Sequence, residues 1–206
     1  MILVGQYDSP FVRRVAIAMD LYGIGFEHRP WSVFGDAGRI RPLNPLTRVP
    51  VLVLDDGETL IETSAILDHL DHLAGPGRAL IAADGAARRA CLKVMALASG
   101  LSDKSVSLFY VRVLHDLPSP LLVERSTAQM LDTLACLEAG APEAGFWFGA
   151  GPSHADIAVT ATLTHAMAAH PDILRLDGFG RLAALQARCE ALPVFNRIYQ
   201  PFVAPA

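Results

Sequence analysis

The order of segments in this chain predicts two domains of different class, a small α/β domain followed by an all-helical one. Three observations carry that expectation. A strand-like run, a helical pattern and a second strand-like run follow one another within about thirty residues, the length of a βαβ unit. A strand, a tight turn, a second strand and a helix then follow, ending near Ala74. Beyond Gly75-Pro76-Gly77 the strand signal disappears and Ala/Leu-rich helical patterning takes over.

Each element has its own reason. Ile2-Leu3-Val4 is a short apolar, β-branched run and reads as a buried strand. Pro10 suits the first turn of a helix, because its missing N–H would be unpaired there anyway. Val12, Val15, Ala16 and Met19 continue at helical spacing, and Gly23 and Gly25 end the pattern. Phe26 to Trp31 is the second strand. Ser32 to Thr47 holds Gly35, Gly38, Pro42 and Pro45, so an irregular stretch with one short helix is expected. Val51 to Leu54 and Thr59 to Ile61 flank Asp55-Asp56-Gly57, a hairpin signal. Ile66, Leu67, Leu70 and Leu73 then fall on one helix face.

The boundaries follow as 1–76 for the α/β domain and 86–206 for the helical one, with a Gly/Pro-rich linker between them. Ala86 to Leu114 is helical, with a bend expected near Gly100 and an end at Pro118 and Pro120. Leu121 to Leu137 is the next helix, and Gly140 to Pro152 a loop holding Phe146, Trp147 and Phe148. Ser153 with Asp156 three residues on forms a capping-box pattern with Asp in place of Glu. Phe179 to Ala191 is a last amphipathic helix, stopped before Pro193.

Composition narrows the function classes. The chain has 206 residues, 52% hydrophobic and 18% charged, enough apolar material for buried cores and too little charge for disorder. A net charge of -4 and no basic face argue against nucleic acid. Mean hydropathy is positive, at +0.34. Even so, no apolar run approaches the ~20 residues of a membrane span. The chain start shows no charged region ahead of a long apolar stretch, so no signal peptide is expected. Cys91, Cys136 and Cys189 form no CxxC pair and read as small buried hydrophobes, which points to a reducing, cytoplasmic setting. The seven histidines lie in no ligand array, so no metal is assigned. His69 and His72, beside Asp68 and Asp71, read as a solvated helix face.

Three local features stand in fixed order in the first domain: Ser9-Pro10-Phe11, then Asn44-Pro45-Leu46-Thr47-Arg48-Val49-Pro50-Val51-Leu52, then Glu62-Thr63-Ser64-Ala65-Ile66. With Ser153-His154-Ala155-Asp156 in the helical domain, they make the sequence resemble the cytosolic glutathione transferase family in its serine-type bacterial-like form. The resemblance spans essentially the whole chain and is strongest over residues 1–73. It implies a thioredoxin-like βαβ-ββα fold for the first domain, glutathione as co-substrate, a small electrophilic substrate and a homodimer.

The resemblance also implies roles for residues, and the chemistry of each residue agrees. Ser9 precedes the first helix, where its hydroxyl can donate to the glutathione thiolate. A hydrogen bond to a charged partner is worth ~1.5–3 kcal/mol, which lowers a thiol pKa by roughly one to two units. The same Ser9 can simply cap the helix that Pro10 begins. Tyr7 is the rival donor, used near the end of the first strand in other classes of the family, but Ser9 to Met19 aligns better with serine-type and cysteine-type members. Cysteine-type members carry Cys-Pro-Phe where this chain has Ser9-Pro10-Phe11, so mixed-disulfide chemistry is not expected.

Val49-Pro50 matches the family's cis-proline site, which would turn the Val49 backbone groups toward glutathione like an added strand. An ordinary trans proline beginning a strand is the alternative. Arg48 is a candidate for the glycine carboxylate of glutathione, or a solvated charge. Phe11 is counted among the glutathione contacts. The helix N-terminus at Glu62, Thr63 and Ser64 would hold the γ-glutamyl end, with Glu62 on the ammonium and a hydroxyl on the carboxylate. The electrophile pocket would draw on Phe11, Phe34, Leu108 and Phe109, with Trp147 in the helical core. Joint retention of Ser9, Val49-Pro50, Glu62 and Thr63 favours an enzyme performing conjugation, or glutathione-assisted isomerisation or dehalogenation. A noncatalytic interaction or ligand-binding protein on the same scaffold is the alternative.

Overall fold

The first unit is built on a four-stranded mixed sheet in the order β2-β1-β3-β4. The computed structural model describes residues 1–114, 116–117 and 119–204. The chain separates into two compact units, Met1–Ala83 with Leu192–Ala206, and Asp84–Ala191.

The strands are β1 (Ile2–Val4), β2 (Glu27–Arg29), β3 (Val51–Val53) and β4 (Thr59–Ile61). Between β1 and β2 runs α1 (Pro10–Tyr22), and between β2 and β3 the short α2 (Ala37–Ile40). After β4 comes α3 (Thr63–Ala74). β1 pairs parallel with β2 and antiparallel with β3, and β3 pairs antiparallel with β4. This is the expected βαβ-ββα order. Val4, Val51 and Ile40 form a core cluster with Trp31, Leu43 and Ile61 packed on it. Successive strand side chains face opposite ways, so Leu3 and Leu52, register partners and fully buried, serve the other face.

α1 begins at Pro10, as expected, and ends at Gly23, whose φ of 69° is a left-handed cap that a side chain would strain. It is buried all round rather than on one stripe: Arg13 and Arg14 are only 2% exposed. In α3, Ile66, Leu67 and Leu70 are buried as expected, but Leu73 in the last turn is exposed.

The second unit is wholly helical: α4 (Gly85–Leu114), α5 (Pro120–Gly140), α6 (His154–Ala169) and α7 (Gly180–Glu190). α4 is one continuous helix through Gly100. Pro120 starts α5, with Ser119 at the N-cap, rather than merely ending α4. Pro118 lies outside the described residues. At the start of α6, Asp156 accepts from the Ser153 N–H at 2.8 Å, the Ser153 hydroxyl at 2.6 Å and the Trp147 N–H at 2.8 Å. The carboxylate thus both caps α6 and fastens the loop before it. Ser102 and Thr162 share a buried hydroxyl bond of 2.8 Å where α4 packs on α6.

Two further expectations change. Cys91 and Cys189 are buried, but Cys136 is exposed on α5. Residues 192 onward do not stay with the helical unit. They add α8 (Pro193–Arg197) and belong to the first unit. Among the described residues no helix is long and apolar enough to cross a membrane.

Candidate functional site

Strand register brings the three sequence features to one end of the sheet. Val51 pairs with Ile61, so the residues preceding β3 and those following β4 lie at the same end of the sheet. Val51 also pairs with Val4, which puts the residues following β1 at that same end. Gly5 shows how tight the junction is. A Cβ there would come within 2.5 Å of Val12 Cγ2 and 2.8 Å of Val49 Cβ, at a φ of 125° that disfavours side chains.

Ser9 is the N-cap of α1. Its Oγ accepts from the Phe11 N–H at 3.3 Å and the Val12 N–H at 3.4 Å. Both bonds are long for N–H···O. They use the lone pairs and leave the hydroxyl proton free to donate, so capping and donation are compatible at one residue. Phe11 is half-buried. Tyr7 is stacked on His28, with ring centroids 3.9 Å apart and planes 1° from parallel. Burial, with the Asp20 charge second, raises the Tyr7 pKa, so the phenol stays neutral near pH 7 and is also a donor.

The Val49-Pro50 bond is cis, as expected. The backbone N–H and C=O of Val49 have no hydrogen-bond partner among the described residues. The approach to it is shaped by buried Asn44, whose Nδ2 donates to the Arg48 carbonyl at 2.9 Å and whose Oδ1 accepts from the Leu46 N–H at 3.0 Å. Arg48 is exposed and makes no ion pair among the described residues.

Glu62 is the N-cap of α3 and adopts φ 72°, a left-handed conformation rare outside glycine. Its Oε1 accepts from the Thr63 N–H at 3.0 Å. Residues held this way cost of order 1–3 kcal/mol and cluster at ligand clamps. Thr63 is 3% exposed, and its Oγ1 is buried with no hydrogen-bond partner among the described residues. Ser64 is exposed. Thr63, the first of the two hydroxyl candidates, is therefore the inward one. A buried unpaired hydroxyl, free helix N–H groups and a strand-like pair of unpaired backbone groups suit a peptide-like ligand with a carboxylate at one end.

The electrophile-pocket candidates divide. Phe34 is 47% exposed, whereas Leu108 and Phe109 are 1% and 8% exposed. Both belong to the core, and Phe109 meets Tyr110 and His170 edge-on. Trp147 is half-buried, with its ring 3.6 Å from where a Gly140 Cβ would lie. Among the described residues no cluster of His, Cys, Asp or Glu could hold a metal ion.

Sequence reasoning missed the residues that brace this site. His28 Nε2 lies 2.8 Å from the Gly5 carbonyl. Gln200 Oε1 accepts from the Tyr7 N–H at 3.3 Å. The available signal was Arg13-Arg14 inside an otherwise apolar helix, which implied that another segment covers it.

Fold and site together define a thioredoxin-like unit with a helix-cap hydroxyl, an open extended backbone edge and a helix N-terminus at one sheet end, accompanied by a helical unit. Family comparison agrees. Residues 3–78 match the glutathione S-transferase N-terminal domain, and residues 120–187 match its C-terminal domain. The chain belongs to the glutathione S-transferase family.

It is similar to a maleylacetoacetate isomerase of Pseudomonas aeruginosa, 29% identical over 97% of this chain and 95% of that protein. It is 34% identical to the uncharacterized GST-like protein YibF of Escherichia coli, over 50% of each chain, so it spans about half the length of that relative. Among solved structures, a glutathione S-transferase of Methylobacterium radiotolerans in complex with glutathione sulfonate superposes with a TM-score of 0.90. That pair is 26% identical over 100% of this chain and 98% of that one. A Pseudomonas fluorescens family member with bound glutathione gives a TM-score of 0.84 at 28% identity, covering 98% and 99%.

Proposed function

We propose that this chain is a glutathione transferase that binds glutathione in its first unit, ionises the thiol and directs it at an electrophilic small molecule. The observation that carries the reading is the buried Thr63 hydroxyl, without a partner among the described residues, at the N-terminus of α3 and at the same sheet end as the unpaired Val49 backbone. In this reading the γ-glutamyl carboxylate takes the Thr63 hydroxyl and free α3 N–H groups, and Glu62 pairs with the ligand ammonium through its second oxygen. Ser64 stands beside this end, Phe11 beside the Ser9 turn. The cysteinyl backbone pairs with Val49 ahead of Pro50, and Arg48 meets the glycine carboxylate.

Chemistry follows from the thiol. A free thiol has a pKa of about 8.5 and reacts as thiolate. The Ser9 O–H donates to the anion, with ~0.3–1 kcal/mol more from the N-terminus of α1. The thiol proton leaves to solvent, and no protein base is needed. The sulfur lone pair forms an S–C bond as the leaving group departs with its electron pair. With an unsaturated electrophile, addition followed by expulsion of the same thiolate gives isomerisation. Similarity to the P. aeruginosa isomerase along nearly the whole chain supports including that variant.

That Ser9 caps α1 favours a second reading, a noncatalytic binding protein in which Ser9 is only a helix cap. A homodimer in a reducing, cytoplasmic setting completes the proposal. The family resemblance supports the dimer, and three unbridged cysteines are compatible with the setting. Sedimentation showing a monomer at micromolar concentration would count against the dimer.

The primary experiment is calorimetric titration of glutathione into the wild type and Glu62→Ala. Binding should weaken by ~1–3 kcal/mol in the variant, through loss of a charged hydrogen bond. Turnover is then screened with haloarene, epoxide, isothiocyanate, peroxide and unsaturated-acid substrates. No glutathione binding by the wild type would refute the reading. Binding without turnover on any substrate would favour the noncatalytic one.

A further inference from the structure

The turn carrying Ser9 is held by two side chains that the proposed chemistry does not use. The first is His28 of β2. Its Nε2 lies 2.8 Å from the Gly5 carbonyl, and a carbonyl only accepts, so Nε2 carries the proton and donates. The same ring stacks on Tyr7 at 3.9 Å. The second is Gln200, whose Oε1 accepts from the Tyr7 N–H at 3.3 Å.

Gln200 sits in the segment after α8, and that segment is fastened to α1. Buried Arg13 donates through Nε to the Ile198 carbonyl at 2.8 Å and through Nη2 to the Phe195 carbonyl at 2.9 Å. Its guanidinium lies 5.4 Å from the Tyr199 ring centroid. Arg197 pairs with Asp20 of α1 at 2.7 Å. The Arg13 backbone N–H in turn donates to the Ser9 carbonyl at 3.0 Å. The far end of the chain and the Ser9 turn therefore share one anchor.

A hydroxyl that must donate to one sulfur has to be placed within about 0.5 Å. Ser9 lies in a turn, and its own cap bonds of 3.3 and 3.4 Å are too long to supply that precision alone. We propose that Gln200 and His28 are positioning residues, which fix the Tyr7–Ser9 turn so that the Ser9 hydroxyl meets the glutathione thiol. The inference rests on the Ser9 reading given under Proposed function. It makes the segment after α8 part of the thiol site by way of the Tyr7 backbone and the Arg13 anchor.

The test uses the full chain with Gln200→Met, His28→Phe, Ser9→Ala and the Ser9→Ala/Gln200→Met pair. Gln200→Met keeps side-chain length and loses the acceptor, and His28→Phe keeps the stack and loses the N–H donor. The readouts are melting temperature, kcat and KM with a haloarene, and the bound thiol pKa from thiolate absorbance against pH. Each single variant at these two positions should lower kcat about threefold to tenfold, the worth of one hydrogen bond, with KM held. The bound thiol pKa should rise by roughly half to one unit. In the Ser9→Ala background Gln200→Met should add nothing, because it acts through Ser9.

A bound thiol pKa unmoved in both Gln200→Met and His28→Phe, but raised in Ser9→Ala, would overturn this inference and leave the Ser9 reading standing. An additive shift in the double variant would also overturn it. A bound thiol pKa unmoved in Ser9→Ala itself would overturn the reading beneath, and the inference with it. Should Gln200→Met fail to fold, His28→Phe carries the same comparison.

Discussion

On the proposed reading, replacing Ser9 with alanine removes two things at once, and the cap geometry sets the size of the first. The capping contribution of such residues spans ~0.5–2 kcal/mol, and bonds of 3.3 and 3.4 Å place Ser9 at the low end. Ser9→Ala should therefore lower stability by about 0.5–1 kcal/mol in chemical unfolding. The thiolate loses a charge-assisted donor worth ~1.5–3 kcal/mol, so the bound thiol pKa should rise by roughly one to two units. Removing a donor to the anion favours the neutral thiol. Turnover should fall most at low pH and recover partly as pH rises, because free ionisation replaces the lost bond. The assay is thiolate absorbance of bound glutathione against pH for the wild type, Ser9→Ala and Tyr7→Phe. A stability loss with no pKa shift would make Ser9 a cap and nothing more. A shift confined to Tyr7→Phe would move the role to Tyr7, and no shift in either would favour a backbone N–H donor or the noncatalytic reading.

Thr63→Val should leave melting temperature unchanged or slightly raised, since it deletes a buried hydroxyl that has no partner among the described residues. Glutathione affinity should fall about threefold to tenfold in calorimetry, and equal affinity would remove Thr63 from the site. Gly5→Ala puts a Cβ 2.5 Å from Val12 Cγ2 at positive φ, and should cost more than about 2 kcal/mol in urea unfolding. A near-neutral result would show that the junction can relax. His170 is buried, with Nε2 donating to the Ser105 carbonyl at 2.9 Å and Nδ1 3.3 Å from Arg112 Nη1. Burial first, and the Arg112 charge opposed by Asp172, hold its pKa below the ordinary histidine value. The unfolded chain then binds the proton more readily, so stability should drop as pH falls from about 6.5 through the lower folded value. His170→Gln should flatten that part of the stability curve, and identical slopes in the two proteins would refute the assignment.

Much of the site was legible because its components are local. Pro10 after Ser9 marks a helix start wherever the chain lies, and Ser9 caps α1 through contacts two and three residues away. Asp55-Asp56-Gly57 turns the chain between two apolar runs, and that turn brings the segment before β3 and the start of α3 to one end of the sheet. Ser153 and Asp156 likewise meet within one helical turn. Other features gave no local signal. Nothing in the run Ile61-Glu62-Thr63 announces a positive φ at Glu62. That conformation is imposed by joining β4 to α3, and the surrounding fold holds it. Leu73 and Cys136 read as core from apolarity alone, but each lies on a helix side that no described residue covers.

The sequence by itself determined the class of each segment, the strand–helix order of the first unit, and the residues at the turns gathered at one end of its sheet. All of these depend on spacing within a few residues and on the steric properties of proline, glycine and β-branched side chains. Only the tertiary structure decided which hydroxyl points inward, because Thr63 and Ser64 are chemically near-equivalent and differ only in which side of α3 they occupy. It also decided that α1 is buried all round, that Arg13 and Arg14 lie inside, and that residues 192–204 return to the first unit. Those outcomes depend on a contact between Arg13 and Ile198, 185 residues apart, and between Tyr7 and Gln200, 193 apart. No periodicity encodes such pairings. They exist because a charged guanidinium and a backbone N–H, once shut away from water, must find acceptors, and the returning chain supplies them.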